Sequence, residues 1–199
     1  MISIAQRAAG TMIWTFAGAL LLALSPGMSA SCAAADNTVT VTKSSTELRQ
    51  VTARYAINAP PSFVWQTITS YPQLPSFIPA YRRCRVLSSQ GAQKTLDVHM
   101  QTSRLLPPFR YQVRVNENPK AMNLSLKRIS GDFAALNGQY KLLPVDNGER
   151  TLLIYHLSID PGLALPGANG MIKSNVEREL SAVRAHAEQA HRKSMIGAN

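Results

Sequence analysis

The sequence predicts an α+β domain in which an antiparallel sheet of about seven strands lies against one long C-terminal helix, with two short helices after the first strand. Three observations carry this. Six segments between residues 81 and 160 alternate apolar and polar side chains with period two and are joined by short connections. Residues 48–58 alternate in the same way ahead of them. Residues 171–193 then place Ile172, Val176, Leu180, Val183, Ala187 and Ala190 at steps of three and four, the spacing of one helix face.

Taken in order, the first 35 residues read as a secretory signal peptide. Arg7 is the one charge ahead of an uncharged run, Thr11 to Leu24. Ser25-Pro26-Gly27 breaks that run, and small residues follow to Ala33-Ala34-Ala35. The apolar run is shorter than the ~20 residues of a membrane-spanning helix, which favours cleavage after Ala35 over a retained anchor. Cys32 has no leucine ahead of it at the lipobox position, so lipoprotein anchoring is the weaker alternative. The expected location is the periplasm or the exterior. Residues 36–47 form a polar leader, the domain spans 48–193, and 194–199 are a tail.

The chain has 21 Lys+Arg against 11 Asp+Glu, a net charge of +10, and is 45% hydrophobic, which excludes a disordered chain and describes one basic globular domain. Two cysteines, Cys32 and Cys84, exclude a disulfide-stapled scaffold, and four histidines show no zinc-site spacing. Export removes nucleic acid from the partners of the charge. An anionic membrane surface or an anionic ligand fits it.

Within the domain, Val51, Ala53, Tyr55 and Ile57 make the buried face of the first strand. Pro60-Pro61 suits a helix start, with Phe63, Val64, Trp65 and Ile68 as its stripe. Tyr71-Pro72 and Pro75 bound a second short helix with Leu74, Phe77 and Ile78, and Pro79 stops it. The strands that follow are 81–89, 93–103, 109–117, 121–129, 138–145 and 150–160. Their inward faces include Leu96/Val98/Met100, Phe109/Tyr111/Val113/Val115, Met122/Leu124/Leu126 and Leu153/Tyr155/Leu157/Ile159.

This order, together with residues 65–79 (WQTITSYPQLPSFIP), Gly131-Asp132-Phe133 and Gly138-Gln139-Tyr140, resembles the START-like (SRPBCC) superfamily, in its polyketide cyclase/dehydrase and coenzyme Q-binding branch. Ser70 stands where that branch usually has Asp, and Tyr140 where Trp is common. The resemblance covers roughly residues 48–190. It implies a helix-grip fold, a curved sheet wrapped around the last helix with a cavity between them. The ligand-binding residues it leads us to expect are Trp65, Phe77, Met100, Tyr111, Val113, Leu124, Arg128, Phe133, Tyr155, Leu180 and Val183.

Parity of the meander locates a mouth. Successive antiparallel turns fall at alternate ends of a sheet. One end receives the polar turns at 89–92, 116–119 and 146–149; the other receives the apolar segments 104–108, 132–136 and 162–167. Loops normally run over wet surface, so Leu105, Leu106, Leu136, Leu163 and Leu165 mark a ligand entrance, a membrane-dipping rim, or both, or else a lid over the core. Arg83, Arg85, Arg110, Arg114 and Lys127 fall on the opposite, outward phase. They serve solubility or attraction to anionic lipid.

No nucleophile elbow, phosphate-binding glycine loop or His-Glu-x-x-His motif is present, and no cofactor or metal is expected. Cys84 reads as a small core residue in preference to a thiolate. Arg128 falls on an inward phase near Asp132, where it pairs, snorkels or meets a ligand anion. The expected function is binding of a hydrophobic small molecule or lipid, such as a quinone or phospholipid. The alternatives are a cyclase or dehydratase using Tyr155, Arg128 and Asp132, and a protein-interaction module using the basic face.

Overall fold

A computed structural model describes residues 37–44, 47–103, 106–162 and 167–197. The segment read as a signal peptide, residues 1–35, and Leu105, Leu163 and Leu165 lie outside them. Eight strands form one antiparallel sheet: β1 (Thr38–Lys43), β2 (Arg49–Ile57), β3 (Tyr81–Gln90), β4 (Gln93–Met100), β5 (Phe109–Asn118), β6 (Asn123–Gly131), β7 (Ala135–Val145) and β8 (Arg150–Asp160). Their order is β1-β2-β8-β7-β6-β5-β4-β3, so β3 to β8 run as a meander and β2 closes onto β8. The polar leader is therefore a correction: residues 38–43 are an edge strand, paired residue for residue with Arg49–Arg54. Only Val39 in it is buried, which is why its threonine-rich alternation reads as polar.

Two short helices follow β2, α1 (Pro61–Thr69) and α2 (Leu74–Phe77), joined by a single 3-10 turn over Tyr71–Gln73. Prolines occupy the first turn of each, where a missing N–H costs nothing. The fully buried Thr151 hydroxyl donates to the Ala59 carbonyl (2.7 Å), fixing the entry to α1 against β8. The final helix α3 (Ala168–Ile196) runs three residues further at each end than its apolar periodicity indicates. Its Val176, Leu180, Val183 and Ala187 are buried, as are the inward residues of β2, β5 and β8. A fully buried aliphatic side chain such as Leu153 or Leu180 contributes about 1.5–3 kcal/mol.

One irregularity matters for the site. The β5–β6 pairing slips between Gln112 and Val113, so Tyr111 faces Gly131 while Val113 faces Arg128. Gly131 has φ +114°, and a Cβ there would lie 2.3 Å from the Arg110 carbonyl oxygen. Only glycine fits at this close approach beside the bulge.

Candidate functional site

The inner face of the sheet and the N-terminal half of α3 enclose a partly open cavity of about 150 Å³. Its walls come from alternate residues of β3 to β8: Leu96, Val98 and Met100; Phe109, Tyr111, Val113 and Val115; Leu124 and Leu126; Tyr155, Leu157 and Ile159. Ala168, Ile172, Val176, Glu179 and Val183 supply the helical wall at steps of three and four. Two lining aromatics, Phe109 and Phe133, stack with ring centroids 4.8 Å apart, and Tyr111 meets Phe133 edge-on at 5.1 Å.

Among the expected ligand-binding residues, Met100, Tyr111, Val113, Leu124, Phe133, Tyr155 and Val183 lie on this wall, and so do the expected mouth residues Leu106 and Leu136. Four others lie elsewhere. Trp65 is half-buried and packs against the core outside the cavity lining. Phe77 stacks on His186 of α3, 4.1 Å between centroids, so it covers the helix instead of facing the void. Leu180 is fully buried one residue round the helix from Glu179, and it is not on the cavity wall. Arg128 turns back on its own strand end: its guanidinium donates to the Gly131 carbonyl at 2.8 Å. Asp132 accepts instead from the Arg110 backbone N–H at 2.7 Å, so Tyr155, Arg128 and Asp132 do not converge.

The described flanks of the expected apolar segments are held together at one end of the sheet. Ala134 N–H donates to the Asp160 carbonyl (2.9 Å), Asp132 N–H to the Arg110 carbonyl (2.9 Å), and Gln101 N–H to the Ala80 carbonyl (2.7 Å). These bonds join the β6–β7 turn to the ends of β5 and β8, and the residue after β4 to the exit of α2.

The cavity also has a polar feature that strand alternation does not reveal. Glu179 of α3 is half-buried and lines the void; its Oε1 accepts from the Tyr140 hydroxyl at 2.8 Å and from the Tyr81 hydroxyl at 3.4 Å. Tyr155 packs on Tyr140 with centroids 4.4 Å apart. Desolvation raises the Glu179 carboxyl pKa above its ordinary 4.5, against the smaller lowering effect of the two phenols. Burial, and then the charge of Glu179, raises the phenols of Tyr81, Tyr111, Tyr140 and Tyr155. The spacing signal is present in the sequence: Glu179 stands three residues after Val176 and four before Val183, on their face.

Cys84 also lines the cavity; burial, and then the Asp97 carboxylate, pushes its thiol up to about 12, so it is an inert core residue. At the far end of the void the Tyr71 hydroxyl donates to Glu117 Oε1 (2.6 Å), while Lys94 Nζ meets Glu117 Oε2 at 2.5 Å. Outside, Arg83 pairs with Asp97 at 2.9 Å, whereas Arg85, Arg110, Arg114 and Lys127 are exposed. Among the described residues there is no cluster of three or more metal-ligating side chains, and no helix long and apolar enough to cross a membrane.

The sequence model of the family described as polyketide cyclase/dehydrase and lipid transport matches residues 57–182. Among solved structures, TTHA0849 from Thermus thermophilus superposes with a TM-score of 0.64 at 19% identity, over 71% of this chain and 98% of that one. The Zhui aromatase/cyclase from Streptomyces sp. R1128 gives 0.62 at 16% identity, over 74% and 96%. The STAR-related lipid transfer protein (fragment 25–204) from Xanthomonas axonopodis gives 0.59 at 13%, over 75% and 98%. These likenesses establish a START-like helix-grip fold. No curated protein matches the sequence.

Proposed function

The chain belongs to the polyketide cyclase/dehydrase and lipid transport family, and from that premise we propose that it is an exported carrier that holds a hydrophobic small molecule or lipid between its sheet and α3. The observation that carries this reading is the cavity itself, whose wall is aliphatic and aromatic apart from Glu179, the tyrosine hydroxyls, Thr102 and Asn175. A void of this size forgoes packing worth about 3–4 kcal/mol, at ~24 cal/mol per Å³. A sequence that needed only stability would close it with larger side chains. At about 150 Å³ the void matches a single aromatic ring, so a quinone ring fits within it. A phospholipid chain enters only if flexible wall residues such as Met100, Leu106 and Met171 give way.

The test is binding of the fluorescent apolar probe N-phenyl-1-naphthylamine to the full chain and to Leu124→Trp, which fills the void from β6. Enhanced fluorescence with the parent chain and its loss in a folded L124W support the reading. Equal enhancement in both contradicts it.

Export rests on the pattern of residues 1–35, and a mature N-terminus at Asp36 in the periplasmic fraction would support it. The exposed Arg85, Arg110, Arg114 and Lys127 suit peripheral contact with anionic lipid. Cosedimentation with anionic vesicles that falls as salt rises is the expected result. The enzymatic alternative is supported by the position of Tyr155 on the cavity wall, and turnover lost in Tyr155→Phe would carry it.

A further inference from the structure

We infer that Glu179 is the polar end of the ligand site, donating a hydrogen bond from Oε2–H to a carbonyl oxygen on an otherwise apolar ligand. The inference rests on the carrier reading above and adds the chemistry its ligand must have.

Hydrogen-bond capacity is the first consideration. Both hydrogen bonds to the carboxyl, from Tyr140 and Tyr81, reach Oε1. Among the described residues no donor reaches Oε2, and no lysine, arginine or histidine lines the cavity. A carboxylate in such a place is partly desolvated and has gained no cation, and the neutral acid is the form that burial favours. In that form Oε1 is the carbonyl oxygen, which suits two phenol donors, and Oε2 carries a proton with no protein acceptor.

The surrounding groups do not change this. The titratable side chains facing the cavity are Tyr81 and Cys84 from β3, Tyr111 from β5, Tyr140 from β7, Tyr155 from β8 and Tyr71 ahead of α2. All are held protonated by burial. The cluster is thus rich in O–H donors and short of acceptors. A ligand oxygen that only accepts completes it. An amine would require the charged carboxylate, and a plain hydrocarbon would leave Oε2–H unpaired.

Three probes of nearly one shape separate these cases: acetophenone carries a carbonyl, ethylbenzene is apolar, and 1-phenylethylamine is cationic. Binding is read from pH 4, below the ordinary carboxyl value that Glu179 exceeds, up to pH 7, from the 13C-methyl signals of methionine-labelled full chain. Met100 and Met171 line the cavity, and the exposed Met195 is the control. Acetophenone is expected to bind about tenfold tighter than ethylbenzene, the worth of one satisfied buried donor. Glu179→Gln keeps an acceptor for the tyrosines and a donor for the ligand, so it retains that advantage within about threefold. Glu179→Leu loses the advantage while still binding ethylbenzene. Equal binding of acetophenone and ethylbenzene to the parent chain overturns the inference and leaves the carrier reading standing, as does an advantage that survives in E179L. Preferential binding of the amine, abolished in E179Q, overturns it in favour of a charged Glu179. If no probe moves the Met100 or Met171 signals, the carrier reading fails and the inference with it.

Discussion

Two glutamates, each hydrogen-bonded by tyrosine, sit at different depths of the same fold and do different work. Glu117, at the closed end of β5, accepts from Tyr71 at 2.6 Å and has Lys94 at 2.5 Å; these two ion-pair side chains are 12% and 23% exposed. Glu179, on the cavity wall, accepts from Tyr140 and Tyr81 and has no cation beside it. The phenol donors are common to both, so the cation makes the difference. With Lys94, the first carboxylate is a structural pin joining the turn ahead of α2 to β4 and β5. Without such a partner, the second is an acid whose proton burial retains.

The contrast breaks most visibly at Lys94. Lys94→Met leaves Glu117 with Tyr71 alone and is expected to lower stability by about 2–3 kcal/mol in urea unfolding. At Glu179 the sign reverses. Because the folded carboxyl titrates above its unfolded value of 4.5, the neutral acid's contribution is complete below that value and is lost as pH rises through the folded pKa. Glu179→Gln should therefore match the parent near pH 4 and exceed it at neutral pH. The expected gain in Tm grows as pH rises from 4 towards neutral. Tyr140→Phe sharpens the contrast with the smallest effect. It removes the shorter bond to Glu179 for about 0.5–1 kcal/mol, and it raises the Glu179 pKa further, since that bond lowers it.

How far the sequence reveals these features depends on whether a local period can reach them. Alternation in β4, β5 and β8 identifies Met100, Tyr111, Val113 and Tyr155, because a strand bordering a core has one inward phase. It places Arg128 opposite inward Val113, just before the slip, but does not reveal that the side chain caps its own strand end. It also passes over β1, a short edge strand whose threonines mask its pairing with β2.

Helical faces are harder to read because α1, α2 and α3 each touch more than one apolar neighbour. Trp65 and Phe77 are as apolar as a cavity wall requires, but Phe77 stacks on His186 of α3 and Trp65 lies outside the lining. On α3 itself, Leu180 and Glu179 are adjacent in sequence, and the glutamate is the one that faces the void. Its charge assigns it to the solvated side, although its spacing to Val176 and Val183 places it on the buried one. Partners drawn from β3 and β7 are what make an acid at that position tolerable, and no local pattern contains them.

The central claim is that the cavity holds an uncharged acid, and carboxyl 13C NMR of Glu179, assigned by its absence in E179Q, measures this directly across a pH titration. The expected midpoint lies clearly above 4.5, with the proton retained well into the range where exposed glutamates have lost theirs. A midpoint at or below 4.5 would contradict it, making Glu179 a carboxylate like any on the surface and removing the donor on which ligand recognition depends.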